Sequence, residues 1–176
     1  MADYDDDLVE LDEEQDEDEE DGPGSVFVSM AFGRDHCDDV WAVIEEVCRE
    51  HDMIANRVHQ TQVAGSPNID EAIQFYLDRC DMVIVDLTHE RPCVAHEIGL
   101  CDAEFDRSLI LLIARQGTPR FGNIQSRMVN YYADEHELRT ILETQLPLMI
   151  DAWCELQESD EDEDEDEDED DDGEAR

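Results

Sequence analysis

The chain has 176 residues, with 52 Asp and Glu against 11 arginines, no lysine, and a formal net charge of -41. That charge excludes a nucleic-acid binder working through a basic surface and a protein that docks on an anionic membrane, since both would be repelled. An apolar fraction of 40% excludes full disorder, so the charge must be spread unevenly.

Residues 1–22 hold 14 acids and no base, interrupted by Leu8, Val9 and Leu11. Residues 159–176 hold 14 acids and one base, Arg176. Neither segment can form a core, so both are expected to be disordered acidic tails. Between them, 23–158 keeps 24 acids and 10 arginines, enough chain for one domain. The opening MADYDDDLVE lacks the basic start and apolar stretch of a signal peptide. The longest apolar run, Leu109 to Ala114, is too short to span a bilayer. A soluble, cytoplasmic protein is the expectation. Six cysteines without CxxC pairing then read as reduced, mostly buried thiols.

Within the domain, SVFVSMAF (25–32) reads as a buried strand ended by Gly33. Asp38 and Asp39 are cap candidates for a helix carrying Val40, Trp41, Val43, Ile44, Val47 and Cys48 at helical spacing. Met53–Val58 is a second strand. After a loop with Gly65, Ser66 and Pro67, Asn68 can cap a helix bearing Ile69, Ala72, Ile73, Tyr76, Leu77 and Cys80. DMVIVDLT (81–88) is the clearest buried strand. Pro92 stands where a first helical turn tolerates proline, and Val94, Ile98, Cys101 and Phe105 form one face of that helix. SLILLIA (108–114) is the next strand, and MVNYY (128–132) a short one after a long loop. A last amphipathic helix is predicted from about Asp134 to Glu155, with Pro147 expected to break or kink it.

Strands alternating with helices, the central ones almost wholly apolar, call for a three-layer α/β sandwich. It should hold about five mainly parallel strands in a flavodoxin-like arrangement. The strand containing Asp86 should be central. Ligands of such sheets bind beyond the carboxyl ends of the strands, at the switch in strand order.

No P-loop, GxGxxG or GxSxG pattern is present. His89, Cys93 and His96 form a small soft-ligand cluster, but no further ligand is spaced to complete a zinc site, so no metal and no cofactor are expected. The carboxylates are more informative. Asp86 closes an apolar strand, and Glu97 lies about one and a half turns into the next helix, whose side chains lean back toward its N-terminus. Two carboxylates meeting there suit a reaction that develops positive charge on a sugar ring. The plainer alternative is that Asp86 caps the helix or bonds loop amides, and Glu97 is solvated.

The segments VFVSMAF (26–32), CDMVIVDLTHERPCVAHEIGL (80–100), SLILLIA (108–114) and RFGNIQSRMVNYY (120–132) resemble a nucleoside 2-deoxyribosyltransferase-like, TIR-like nucleotide-binding family. Its members show a strand ending in a Met/Pro-Phe turn, an "aD-vIaDlT" strand running into "NPNVxYELGxA", and a later "PFD…R…Y" segment. The resemblance implies that Glu97, in the Glu-x-Gly element, is the nucleophile or ribosyl-cation stabiliser in cleaving an N-glycosidic bond. It implies that Asp86 and Thr88 orient the sugar, that Ser29, Met30 and Phe32 line the pocket, and that Asp70 or Glu71 is the acid before the second helix. Arg91 and Cys93 stand where the family has its two asparagines, His96 replaces the aromatic before the glutamate, and "PFD" becomes Arg120-Phe121-Gly122. Arg91 and Arg127 would suit a phosphorylated ligand, a nucleotide or NAD, better than a neutral nucleoside.

Three functions therefore stand as expectations. The first is an enzyme cleaving or transferring at an N-glycosidic bond of a nucleoside, nucleotide or NAD. The second is a catalytically silent nucleotide-binding sensor. The third is a polyanionic decoy whose tails engage a basic protein partner or a second copy of the chain; against it stands the simpler reading of the tails as a solvating bristle.

Overall fold

The computed structural model describes residues 24–31, 33–57, 69–89, 92–119, 124 and 126–167. Five strands form one sheet: β1 (Ser25–Ser29), β2 (Ile54–Asn56), β3 (Met82–Asp86), β4 (Ile110–Arg115) and β5 (Asn130–Tyr132). Their order is β2-β1-β3-β4-β5, and all neighbouring pairs are parallel. This is the flavodoxin-like α/β sandwich expected, with the Asp86 strand in the middle position. β3 is buried at every residue, as a strand covered on both faces must be.

Four helices cover the sheet: α1 (Cys37–Glu50), α2 (Ile69–Leu77), α3 (Pro92–Glu104) and α4 (Glu135–Glu167). Strand residues alternate between two cores. Val26, Val28, Met82, Ile84, Leu111 and Ile113 pack with Ile44 of α1 and Leu142 of α4. Phe27, Val83, Val85 and Leu112 pack with Leu77 of α2 and Ile98 and Cys101 of α3. Each face therefore has its own apolar layer across the sheet backbone, and Phe105 packs against both.

Four local expectations change. Helix α1 opens at Cys37, not at an aspartate cap. Its N-cap is His36, at φ 67°, with no side-chain cap bond, and Asp38 and Asp39 sit in the first turn. Their charges favour the helix dipole without capping it. β4 begins later than expected because Asp106 caps a short 3-10 turn, Arg107–Leu109, accepting a hydrogen bond from the Ser108 amide at 2.8 Å. Pro147 does not break α4. Leu142, Leu146 and Met149 are buried on both sides of it, and that apolar anchoring outweighs the missing amide bond, a defect of about 3 kcal/mol. α4 also runs past Glu158 to Glu167, into the acidic run. No helix among the described residues is long and apolar enough to cross a membrane. Among the described residues, Cys37, Cys48, Cys80, Cys101 and Cys154 form no disulfide. Burial pushes the Cys48 thiol up to about 12, so it is inert at neutral pH.

Candidate functional site

Because all strands are parallel, their carboxyl ends share one edge. In the order 2-1-3-4-5 the switch lies between β1 and β3, where Ser29 and Asp86 end their strands. Ser29 pairs in register with Val85, so the serine shares the face of Val85 and Phe27, toward α2 and α3. Asp86 is one residue further and faces α1 and α4, as Ile84 does. The pleat thus sends these two polar strand ends to opposite faces.

On the α2/α3 face, Ser29 donates a short hydrogen bond from Oγ to Glu97 Oε2. Ser29 is 3% exposed, while Glu97 is half-buried. The glutamate therefore reaches back from α3 to the end of β1. Its charge, after burial, helps push the Cys101 thiol one turn along α3 up to about 12.

On the α1/α4 face, Asp86 is 3% exposed and, among the described residues, accepts from Thr88, from the amide at 3.0 Å and from the hydroxyl. Thr88 Oγ1 also accepts the Arg115 amide at 3.0 Å and lies 3.0 Å from Tyr132 Oη. One hydroxyl thereby ties together the ends of β3, β4 and β5. Burial raises the Asp86 carboxyl above its ordinary value; the Thr88 bonds and the charge of His89 act the other way. Burial, then the Asp86 charge, pushes the Tyr132 phenol up too. These side chains border a small, open cleft lined also by His36, Cys37 and Glu135. At its mouth, His36, Asp39 and Glu135 hold one ligand atom each within 4.8 Å of one another.

The expected residues thus divide. Glu97 and Ser29 come together on one face, Asp86 and Thr88 on the other. The expected meeting of Asp86 with Glu97 is not seen: they face opposite sides of the sheet and share no hydrogen-bond partner among the described residues. Asp86 does bond a loop amide, the plainer alternative. Met30 is buried in the α1/α4 layer, its sulfur 4.0 Å from an Arg57 nitrogen. Arg127 is held by Asp102 of α3 at 2.6 Å and is 10% exposed, so its charge is already paired. Phe32 and Arg91 lie outside the described residues, as do the side chains of Asp70 and Glu71 on α2, Cys93 and His96 on α3, and the expected cap Asn68. Sequence reasoning missed Tyr132 and Glu135, while Arg115 was among the strand-end positions to inspect. The signal for Tyr132 was present: it ends a strand, and strand ends were the positions to inspect.

No family model matches the chain, and no curated protein matches it. Solved structures are similar at low identity. One is the lysine decarboxylase LdcF of Francisella novicida, at 14% identity and a TM-score of 0.45, matching 73% of this chain and 18% of that one. Another is the diflavin flavoprotein A3 of Nostoc sp., at 10% identity and a TM-score of 0.41, matching 72% of this chain and 90% of that one. The chain thus spans under a fifth of the decarboxylase's length.

Proposed function

We propose that the protein binds a nucleoside, nucleotide or NAD at the carboxyl edge between β1 and β3 and cleaves or transfers at its N-glycosidic bond. It would do so in the manner of the nucleoside 2-deoxyribosyltransferase-like family that residues 80–100 resemble. Glu97 is the catalytic carboxylate, trapping or stabilising the anomeric carbon as the base departs. The observation that carries this reading is the Ser29–Glu97 hydrogen bond at the switch in strand order. It fixes a carboxylate where ligands of this fold bind, in a half-buried setting where it can meet a sugar. Ser29 orients it. Thr88 and Asp86 hold the β3 end of the site in shape. A protein of this kind would work in the cytoplasm.

The experiment is incubation of the purified chain with a panel of nucleosides, nucleotides and NAD, scoring released base by chromatography. Release that Glu97→Gln abolishes supports the enzyme. A second reading, a silent nucleotide-binding sensor, is favoured by one fact: Asp86 is turned away from Glu97 and takes its bonds from Thr88. Binding of a panel member without release of base by the wild-type chain selects the sensor. Neither binding nor release rejects both.

A further inference from the structure

We propose that His36, Asp39 and Glu135 form a three-ligand site for a divalent transition-metal ion at the mouth of the cleft between α1 and α4.

The three residues come from two helix starts almost a hundred positions apart, and each is exposed. His36 Nδ1 already lies 3.7 Å from Asp39 Oδ2. One imidazole with two carboxylates is a donor set that suits zinc and its neighbours better than magnesium or calcium, which take oxygen alone. Metal–ligand bonds of about 2.0–2.2 Å put tetrahedral ligand atoms roughly 3.3–3.5 Å apart. The three atoms now lie within 4.8 Å, so rotation of free, exposed side chains closes the gap. Three protein ligands leave a position open to water, and that position faces the cleft, which His36 and Glu135 both line.

A second observation points the same way. Asp86 lines that cleft at 3% exposure, with no ion pair among the described residues. Among the described residues its hydrogen bonds come from Thr88, and the charge of His89 acts on it without forming an ion pair. Its carboxylate therefore adds to the attraction for a cation at the mouth. The obstacle is the two helix N-termini, whose dipoles repel a cation. Asp35 and Asp134 line the same cleft, and their charges oppose that field.

The test uses the full chain stripped of metal, titrated with Co2+ alone and read by visible absorption, then displaced by Zn2+. Excess Mg2+ is present throughout to occupy the acidic runs. The expected result is one Co2+ per chain, displaced one for one by Zn2+. His36→Gly and Glu135→Gln should each weaken binding by at least the 10- to 100-fold that losing even a residue supporting a ligand costs. Glycine is chosen because His36 sits at φ 67°, a conformation glycine accepts readily, so the fold is kept. Glu135→Gln, on an exposed side chain, is the independent check, with circular dichroism on both variants. Co2+ binding that both folded variants retain at wild-type strength overturns the proposal. So does an absence of Co2+ uptake in the presence of Mg2+, or uptake of many ions per chain, because the ions would then be riding on the acidic runs or finding no site at all.

Discussion

On one face of the sheet, a half-buried glutamate meets a single strand-end hydroxyl; on the other, a buried aspartate is bound by one threonine whose hydroxyl also joins two further strands. Among the described residues, the Glu97 carboxylate has one hydrogen-bond partner, Ser29. The Asp86 side is a network in which each member supports the next. One residue of strand separates the two arrangements. Functional chemistry suits the first, because a reactive group must be free to meet a ligand. Structural work suits the second.

If that contrast is right, substitutions on the two faces should fail in different ways. Glu97→Gln preserves shape and removes charge. It should leave folding and ligand binding nearly intact and cut base release by several orders of magnitude, about 4 kcal/mol or more of transition-state stabilisation. Equal rates of release from Glu97→Gln and wild type would break the contrast at once. Next in size are the cores behind each face. Leu77→Ala in the α2/α3 layer and Leu142→Ala in the α1/α4 layer should each cost about 2–5 kcal/mol in urea unfolding. The sheet lies between them, although Phe105 packs against both layers, so the double variant should equal the sum within about 0.5 kcal/mol. A larger departure would mean that the two layers communicate.

The sheet was legible because its signal is redundant. Residues 82–86 are apolar up to the terminal aspartate, bounded by turns, and too short to be a buried helix. The helix opening at Pro92 was legible from one local rule. The start of α1 was not. Two aspartates looked like caps, but the turn after β1 passes through left-handed backbone at Gly33 and His36 and starts the helix one residue before them. Pro147 misled for a related reason: a local breaker is judged alone in sequence, whereas Leu146 and Met149 act through the tertiary core. In the site, the reach of Glu97 back to a strand end follows from helical side-chain direction. Its partner does not. Choosing Ser29 over Asp86 needs the register between β1 and β3, which no single segment contains.

Smaller effects sharpen the structural side. Thr88→Val leaves the Asp86 carboxylate, the Arg115 amide and the Tyr132 hydroxyl without their shared partner, and should cost about 1–3 kcal/mol. Tyr132→Phe removes one bond from the same node and should cost only about 1 kcal/mol. Thermal melts of both, beside a conservative Thr88→Ser, measure the difference. Equal losses from Tyr132→Phe and Thr88→Val would show that Thr88 is not the centre of the network.

The smallest effect concerns pH. The folded-state pKa of Asp86 lies above the ordinary aspartate value of 3.8, chiefly because burial disfavours its charge. The folded protein therefore binds that proton more tightly than the unfolded chain does. By linkage, the contribution to stability is present at low pH and is lost as pH rises from the unfolded-state value through the folded one. At neutral pH the aspartate is a net cost. Asp86→Asn keeps an oxygen for the two Thr88 bonds and removes the ionisation. Its melting temperature should exceed that of wild type by a few degrees at pH 7, with the gap narrowing as pH is lowered toward 5. Melts of both proteins across that range, in buffer freed of divalent metal, check the sign. A gap that widens on acidification would mean that Asp86 is stabilised as an anion. The two faces would then be alike in holding a working carboxylate.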